Sequence, residues 1–209
     1  MAYFDYEALA TAPLVRDPYD FIAVENFIRP ERFAEVSADF PKVPGPGSHP
    51  PSELTIAGHF AAAMAELDGP KFRESIERKF GVDLTGRPAM YTVRGFTREK
   101  DGEIHTDTKS KIITVLLYMN EGWEKSGGRL RVLRSPTNLE DYAAEISPNG
   151  GTLLVFRRSE NSWHGHYPFE GPRRTIQMNW VTDQGVVDRE QGRHRLSTRI
   201  KKVASLFGA

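Results

Sequence analysis

The second half of the chain, after Pro88, consists of short apolar runs divided by turn residues, and this pattern restricts the possible folds most strongly. The runs are rich in β-branched and apolar residues, and glycine, asparagine and proline separate them at spacings typical of antiparallel sheets. The pattern therefore predicts an antiparallel sandwich or barrel. The five runs are Met90–Phe96, Lys111–Met119, Leu130–Leu133, Gly151–Phe156 and Arg174–Val181.

The first half of the chain has the periodicity of helices instead. The first 20 residues are expected to form an irregular arm, and Phe21–Phe27 a short strand. The segment Pro41–Pro51 holds five prolines and two glycines, so it is predicted to be a loop. Apolar residues at helical spacing predict helices on either side of that loop, over 30–40, 51–67 and 71–80.

The C-terminal segment predicts one more helix. Its apolar residues fall at i, i+4, i+7 and i+11, which is the spacing of an amphipathic helix; they are Leu196, Ile200, Val203 and Phe207. Helices first and strands second give an α+β fold class with a mainly β core, and with the N-terminal helices packed on one side. We expect a single domain over 1–209, with a core at 88–183, helical support at 1–87 and a C-terminal helix at 184–209.

Composition excludes several kinds of site. The chain has no cysteine, which excludes disulfides, thiolate metal sites and cysteine nucleophiles, so histidine and carboxylate must hold any metal. Lysine plus arginine equals aspartate plus glutamate at 28 each, which disfavours nucleic acid as a partner. No apolar run is long enough to span a membrane, and the acidic start MAYFDYEALATAPLV does not resemble a secretory signal. The sequence thus predicts a cytoplasmic protein.

Two histidines and one aspartate lie in contexts that predict a metal site. His105 and Asp107 come just before the run that starts at Lys111, and residues two apart on an extended chain point to the same side. A sandwich could bring His164, after another apolar run, next to them. Two imidazoles and a carboxylate on one face of an octahedral ion leave three positions open, the arrangement found in non-haem iron(II) oxygenases.

A cation follows His164 at the start of the last run. Arg173 lies nine residues further on, and Thr175 follows on the same face of an extended chain. A guanidinium group offers a planar fork of donors that matches a carboxylate, and the threonine hydroxyl adds another donor. Because a buried arginine is costly without an anionic partner, the pattern favours a bound dicarboxylate cosubstrate.

With these residues in place, the sequence resembles the iron(II)- and 2-oxoglutarate-dependent dioxygenases, in particular their prolyl-hydroxylase-like branch. The resemblance spans Tyr91 to Asp183, and FIAVENFIRPERF near the N-terminus adds a weaker likeness. It implies a double-stranded β-helix, which is an eight-stranded, cupin-like jelly roll. The motifs that carry it are HTD at 105–107, VLLYMNEGW at 115–123, SGGRLRVL at 126–133, GGTLLVF at 150–156 and WHGHYPFEGPRRT at 163–175.

The resemblance also implies roles for individual residues. It makes His105, Asp107 and His164 the iron ligands, with Fe(II), 2-oxoglutarate and O2 as the cofactor and cosubstrates. It makes Arg173 the ligand of the 2-oxoglutarate C5 carboxylate. Tyr118 matches a tyrosine that hydrogen-bonds the same carboxylate, Thr175 is a further candidate contact, and Leu130 matches an apolar wall beside it. The presence of Asp107, where halogenating relatives have a small residue, favours hydroxylation.

Two assignments have a competitor. Arg174 competes with Arg173, because a tryptophan six residues on (Trp180) favours it, whereas the spacing from His164 and the Arg-X-Thr pattern favour Arg173. Only one can enter the pocket, since adjacent strand residues point to opposite sides. His166 shares a face with His164, although the preceding tryptophan and the following Pro168 match the family better with His164 as ligand.

The predicted function is a 2-oxoglutarate-dependent hydroxylase that acts on an unactivated C–H bond and releases succinate and CO2. Its substrate could be a small molecule or a protein side chain. The main alternative is a non-catalytic, cupin-like module that binds a metal or a small molecule, and a zinc-dependent hydrolase is a weaker one. Lys111 beside the metal motif could contact substrate or lie on a solvated hairpin.

Overall fold

The computed structural model describes residues 2–189. It contains four α-helices and eight strands within that range, and residues 184–189 are helical as well. The predicted apolar stripe Leu196, Ile200, Val203 and Phe207 lies outside the described residues. The helices are α1 (Tyr6–Thr11), α2 (Pro30–Ala38), α3 (Gly58–Leu67) and α4 (Pro70–Phe80). The strands are β1 (Phe21–Val24), β2 (Ala89–Thr97), β3 (Lys111–Tyr118), β4 (Leu130–Leu133), β5 (Tyr142–Ile146), β6 (Leu153–Arg157), β7 (His164–Gly165) and β8 (Gly171–Val181).

The strands form two sheets in which every pairing is antiparallel. The larger sheet has five strands in the order β1-β6-β3-β8-β2, and the smaller has three in the order β5-β4-β7. Along the chain, β1, β2 and β3 lie in the larger sheet, β4 and β5 in the smaller one, and β6, β7 and β8 alternate between the two, which gives a core of two facing antiparallel sheets. The predicted fold class, an α+β protein with a mainly β core of this kind, is confirmed.

The two faces of the five-stranded sheet differ because side chains alternate along each strand. On β3 and β8, the outward set is apolar and packs into the core formed with the helices; Phe72 of α4 stacks on Trp180 with ring centroids 5.9 Å apart. This outward set is Ile113, Val115, Leu117, Ile176, Met178 and Trp180. The inward set points toward the smaller sheet and contains most of the polar residues of these strands.

Two local predictions of the N-terminal half are wrong. The first 20 residues are not wholly irregular, because they include α1, where Asp5 accepts hydrogen bonds from the backbone N–H of Glu7 and Ala8. The helix predicted to start at Pro51 begins only at Gly58, where the Asp39 carboxylate accepts from the backbone of His59 at 2.6 Å. Such a bond satisfies one of the N–H groups that every helix start leaves without a partner.

The proline-rich segment 41–51 lies along β2. His49 and Val93 exchange two backbone hydrogen bonds of 3.0 and 2.8 Å, so the segment is attached to the free side of the strand. A Cβ on Gly95 would lie 2.9 Å from Val43, which shows how closely the two backbones approach. Among residues 2–189, no helix is long and apolar enough to cross a membrane.

Candidate metal centre

The three predicted metal ligands come together between the two sheets. His105 and His164 exchange backbone hydrogen bonds of 3.0 Å in both directions, which places their rings 4.4 Å apart between centroids. Asp107 follows two residues after His105 and points to the same side. One ligand atom from each of the three residues lies within 4.8 Å of the others. The three side chains therefore point to one place, as their spacing on extended chain predicts.

Both imidazoles are held in the tautomer that a metal ligand needs. Nδ1 of His105 lies 2.8 Å from the carbonyl oxygen of Glu103, and Nδ1 of His164 lies 3.0 Å from that of Ser162. Because a carbonyl oxygen can only accept, each Nδ1 must carry the proton, which leaves the Nε2 lone pair free. Burial lowers the pKa of His164 to about 4, so its ring is neutral near pH 7.

The Asp107 carboxylate is buried and has a donor on each oxygen. Lys111 Nζ donates to Oδ1 at 2.6 Å, and Thr114 Oγ1 donates to Oδ2 at 2.5 Å. Burial raises the pKa of Asp107, but the Lys111 ammonium and these two bonds outweigh it and hold the pKa below its usual value. The carboxylate is therefore ionised. The Lys111 side chain is only 15% exposed, so it is not part of a solvated hairpin.

A buried chain of hydrogen bonds extends behind Asp107. Asn179 on β8 donates through Nδ2 to Thr114 Oγ1 at 2.8 Å, and Thr114 on β3 faces Asn179 across the sheet. Since the Thr114 hydroxyl accepts from Asn179, its single proton is directed to Asp107. These neutral groups fix the carboxylate in place without neutralising it.

Arg173 lies at the other end of the same cavity. Its Nε donates to the Gly128 carbonyl at 2.9 Å, and its Nη2 lies 3.4 Å from the hydroxyl of Tyr118. Both side chains are buried, and no carboxylate of residues 2–189 forms an ion pair with Arg173. Thr175 faces Tyr118 across the strands, and its buried hydroxyl has no hydrogen-bond partner within the described part of the chain. Leu130 lines the same cavity.

The two competing residues lie elsewhere. The Arg174 guanidinium stacks on the ring of Phe40 at 5.1 Å and lines a separate cavity with Trp123. His166 does line the metal-side cavity, but it is not in the three-residue group, and its Nδ1 bonds the Tyr167 carbonyl at 2.8 Å. The alternation of strand residues thus separates Arg173 from Arg174 as expected.

Two connected cavities surround the site. The inner one, about 170 Å³, extends from the His-Asp-His group to Arg173. The outer one, about 720 Å³, opens beside it and is lined by charged and apolar residues that include Arg98, Ile104 and Pro168. Gly102, Glu103 and His166 form walls of both. The arrangement offers an enclosed space for a small dianion and a wider space for a second molecule.

Sequence reasoning missed several residues of the inner cavity. Thr114 is a polar residue inside the apolar run of β3, and that interruption was the available signal. Asn179, which supports Thr114 from behind the cavity, continues the alternation of polar residues along β8. Arg94 also lines the cavity, next to Thr175 on the neighbouring strand. Its role required the strand register, which the sequence alone does not supply.

Comparison with known proteins agrees with this geometry. Residues 89–182, from β2 to the end of β8, match the model of the 2OG-Fe(II) oxygenase superfamily. The predicted resemblance is thereby confirmed over the strand-rich part of the chain. The cofactor and cosubstrates predicted for the chain, Fe(II), 2-oxoglutarate and O2, are those that this superfamily uses. No sequence among curated proteins matches the chain significantly.

Solved structures share the fold. A prolyl-4-hydroxylase of Pseudomonas putida has a TM-score of 0.50 and 20% identity, covering 85% of this chain and 92% of its own. A prolyl 4-hydroxylase of Phytophthora capsici has a TM-score of 0.52 and 15% identity, covering 88% of this chain and 67% of its own. A Trichoplax adhaerens prolyl hydroxylase, in complex with a hypoxia inducible factor peptide fragment, has a TM-score of 0.53 and 15% identity. It covers 84% of this chain and 88% of its own. At these identities the likeness shows the fold alone.

Proposed function

We propose that this protein is an Fe(II)- and 2-oxoglutarate-dependent dioxygenase that hydroxylates an unactivated C–H bond and releases succinate and CO2. One observation carries the proposal. A ligand-ready His-Asp-His group and a buried arginine without an acidic partner in the described chain lie at the two ends of one small cavity. Such a cavity suits a metal ion with a dicarboxylate that spans from the metal to the arginine.

The metal end fits a divalent ion. His105 and His164 would each offer Nε2, because carbonyl groups hold the proton on Nδ1 of both rings. Asp107 would offer a carboxylate oxygen that is already ionised and oriented by Thr114. Two neutral imidazoles and one carboxylate leave such a site net positive, which attracts an incoming dianion.

The arginine end fits a carboxylate. Arg173 would bind it with charge-assisted hydrogen bonds, which are shorter and stronger than those between neutral groups. The hydroxyl of Tyr118 lies beside the guanidinium, and the hydroxyl of Thr175 lacks the partner that a buried group normally has. A bound carboxylate would supply that partner, so the unsatisfied Thr175 hydroxyl independently favours a ligand here.

When bound, Fe(II) with 2-oxoglutarate and O2 supplies the oxidising power needed to place oxygen on an unactivated carbon. The chain's own residues position these groups and exclude water from them. Leu130 lines the inner cavity and Tyr118 is buried beside Arg173, and such buried surroundings would strengthen each electrostatic contact to the dianion. The outer cavity would admit the molecule to be oxidised, a small molecule or a protein side chain.

Succinate release tests the proposal. We expect the purified protein to release succinate from 2-oxoglutarate with Fe(II) and not with Zn(II), and Asp107→Ala to abolish the release. Anaerobic addition of 2-oxoglutarate should also produce a visible charge-transfer absorption of the Fe(II) protein, a readout that needs no turnover. A non-catalytic binding module would give no succinate. A hydrolase would work with Zn(II) and without 2-oxoglutarate.

A further inference from the structure

We propose that Arg94 binds a carboxylate group of the molecule that is oxidised, so that the substrate of this enzyme is a carboxylic acid. The inference rests on the proposed function, because it assigns the second arginine of the same cavity. Arg94 is not part of the predicted metal or cosubstrate set.

The strand register places Arg94 beside the cosubstrate end of the cavity. Arg94 on β2 faces Thr175 on β8, and Thr175 in turn faces Tyr118 on β3. Residues that are directly paired on neighbouring strands point to the same face of a sheet. All three side chains therefore lie on the inward face. Arg94, Thr175 and Arg173 accordingly line one cavity.

The Arg94 guanidinium is oriented but has no acidic partner in the described chain. Its Nε donates to Ser48 Oγ at 2.9 Å, from the proline-rich segment attached to β2. Asp101 is the acidic group whose charge acts on Arg94, and it already accepts three hydrogen bonds from Arg98. No carboxylate of residues 2–189 forms an ion pair with Arg94. The terminal nitrogens are thus available to a ligand.

The electrostatics of Arg94 point to an anion. Burial lowers its pKa, Asp101 opposes this, and the nearby charges of Arg173 and Arg98 lower it further. An arginine keeps its charge in spite of such shifts. Two half-buried or buried guanidinium groups in one small cavity repel each other, and each is stabilised by its own anion.

The 2-oxoglutarate carboxylates would not pair with the charge of Arg94. The Arg173 end offers the guanidinium fork and the hydroxyls of Tyr118 and Thr175 to one carboxylate, and the metal end takes the other. Asp101 is neutralised by Arg98, so the metal dication, Lys111, Arg173 and Arg94 would face the negative charges of Asp107, Glu103 and the dianion, which leaves one positive charge in excess. A further carboxylate would balance it.

The position of Arg94 also fits the second molecule. Besides Arg173, its charge interactions are with Asp101 and Arg98, which belong to the segment between the inner and the outer cavity. A molecule that enters from the outer cavity passes that segment before it reaches the metal. A carboxylate held by Arg94 would place the rest of the molecule along this path, and the planar fork would fix its orientation.

A screen of matched pairs tests the proposal. Succinate release from 2-oxoglutarate with Fe(II) is measured for free L-amino acids, N-acetyl amino acids and small carboxylic acids, each beside its amide. We expect only the free acids to raise the rate above that without added substrate. Arg94→Gln should then raise the apparent constant of the stimulating acid by about 10- to 150-fold, because a charge-assisted contact is lost. Calorimetric titration of the acid into Zn(II)-loaded protein saturated with 2-oxoglutarate should show the same loss without turnover.

Controls separate the two arginines. Arg173→Gln should act mainly on the constant of 2-oxoglutarate, and Arg87→Gln, an exposed arginine just before β2, should change neither constant. The proposal is overturned if amides stimulate as well as acids, if only phosphate esters stimulate, if no acid stimulates, or if Arg94→Gln acts chiefly on 2-oxoglutarate. Fe(II)-dependent succinate release without substrate tells these outcomes apart from a failure of the proposed function, in which that release is absent as well.

Discussion

The two faces of the five-stranded sheet are made by alternate residues of the same strands and yet have opposite characters. On β8, Ile176, Met178 and Trp180 point to the helices and are almost fully buried among apolar side chains. Their neighbours Thr175 and Asn179 are equally buried but are polar. A buried polar group contributes to stability only when it is hydrogen-bonded. Asn179 bonds Thr114, but the Thr175 hydroxyl has no partner in the described part of the chain, which indicates a role other than stability.

The comparison teaches that burial alone does not tell a core position from a site position. The outward face contributes free energy of folding through packing, whereas the inward face borders the cavity, where it supplies two arginines and the groups that orient the Asp107 carboxylate. Substitutions on the two faces should therefore separate stability from binding. The predictions below test this separation, from the largest expected effect to the smallest.

In the cavity that the inward face borders, His164→Ala should abolish Fe(II) binding at micromolar metal. Two remaining ligands make too few bonds to hold a labile ion. Calorimetric titration with a divalent metal measures the affinity, and His166→Ala is the matched control because His166 lies outside the ligand group. Unchanged affinity in His164→Ala would transfer the ligand role to His166.

The outward face should respond in stability. Ile176→Ala is expected to lower the free energy of unfolding by about 2–5 kcal/mol, the usual cost of a cavity at a fully buried isoleucine. Thr175→Ala, one residue away, should lower it far less and should instead weaken 2-oxoglutarate binding. Urea denaturation of both metal-free variants checks this pair, and equal destabilisation would contradict the division of the two faces.

The arginine pair provides the same contrast in binding. Losing a charge-assisted carboxylate contact costs about 1.5–3 kcal/mol, which corresponds to a rise of about 10- to 150-fold in the apparent 2-oxoglutarate constant of Arg173→Ala. Lysine at this position should restore the constant only in part, because it lacks the planar fork. Arg174→Ala, whose side chain stacks on Phe40, should change the constant little. Steady-state titration with 2-oxoglutarate decides, and the opposite pattern would assign the role to Arg174.

The hydrogen-bond chain behind Asp107 should have a smaller effect. Asn179→Ala removes the donor that directs the Thr114 hydroxyl to the carboxylate. Loss of such an outer contact typically lowers metal affinity by about 10- to 100-fold. Competition with a chelator of known affinity measures the change, and Thr182→Ala, just after the same strand and with its hydroxyl bonded to Asp183, is the control. An unchanged affinity in Asn179→Ala would show that Thr114 needs no second partner.

The smallest expected effect concerns pH. Burial, followed by the charge of Arg173, lowers the pKa of His166 to about 4. Between about pH 6.5 and 4 the unfolded chain therefore binds a proton on this ring that the folded chain does not. The free energy of unfolding should fall as the pH falls through this window, by up to about 1.4 kcal/mol per pH unit for each such histidine.

In His166→Gln the unfolded chain no longer has this ring to protonate. The pH dependence of the unfolding free energy of the metal-free protein, measured with urea between pH 7 and 4.5, should become less steep in that variant. His164, whose pKa is also lowered to about 4 by burial, accounts for a further part of the slope. Identical slopes in the wild type and in His166→Gln would mean that the ring is accessible to protons in the folded protein.

The sequence predicted the long strands because their β-branched residues form continuous runs between turn residues. It missed β5, whose sequence YAAEI has weak strand propensity and whose pairing with β4 is supported by an ion pair between Arg131 and Glu145. It also missed β7, a two-residue strand formed by pairing with β4. Tertiary contacts determine both, and local propensity does not contain them.

The candidate site divides in the same way. His105, Asp107 and Arg173 could be selected from spacing, because two-residue periodicity on a strand is a local property. Arg94 and the chain from Asn179 to Asp107 connect different strands, so they depend on which strands are neighbours and in what register. That information is fixed only when the sheets form.

The attachment of the proline-rich segment to β2 has a consequence for self-association. β2 is the last strand of the five-stranded sheet, and an open strand of this kind can pair with another chain and lead to aggregation. Through His49 the segment occupies backbone groups at Val93, and its five prolines have no N–H to offer to an incoming strand. Around Val93, this border of the sheet is therefore blocked both to edge-to-edge polymerisation and to a peptide that would bind by adding a strand.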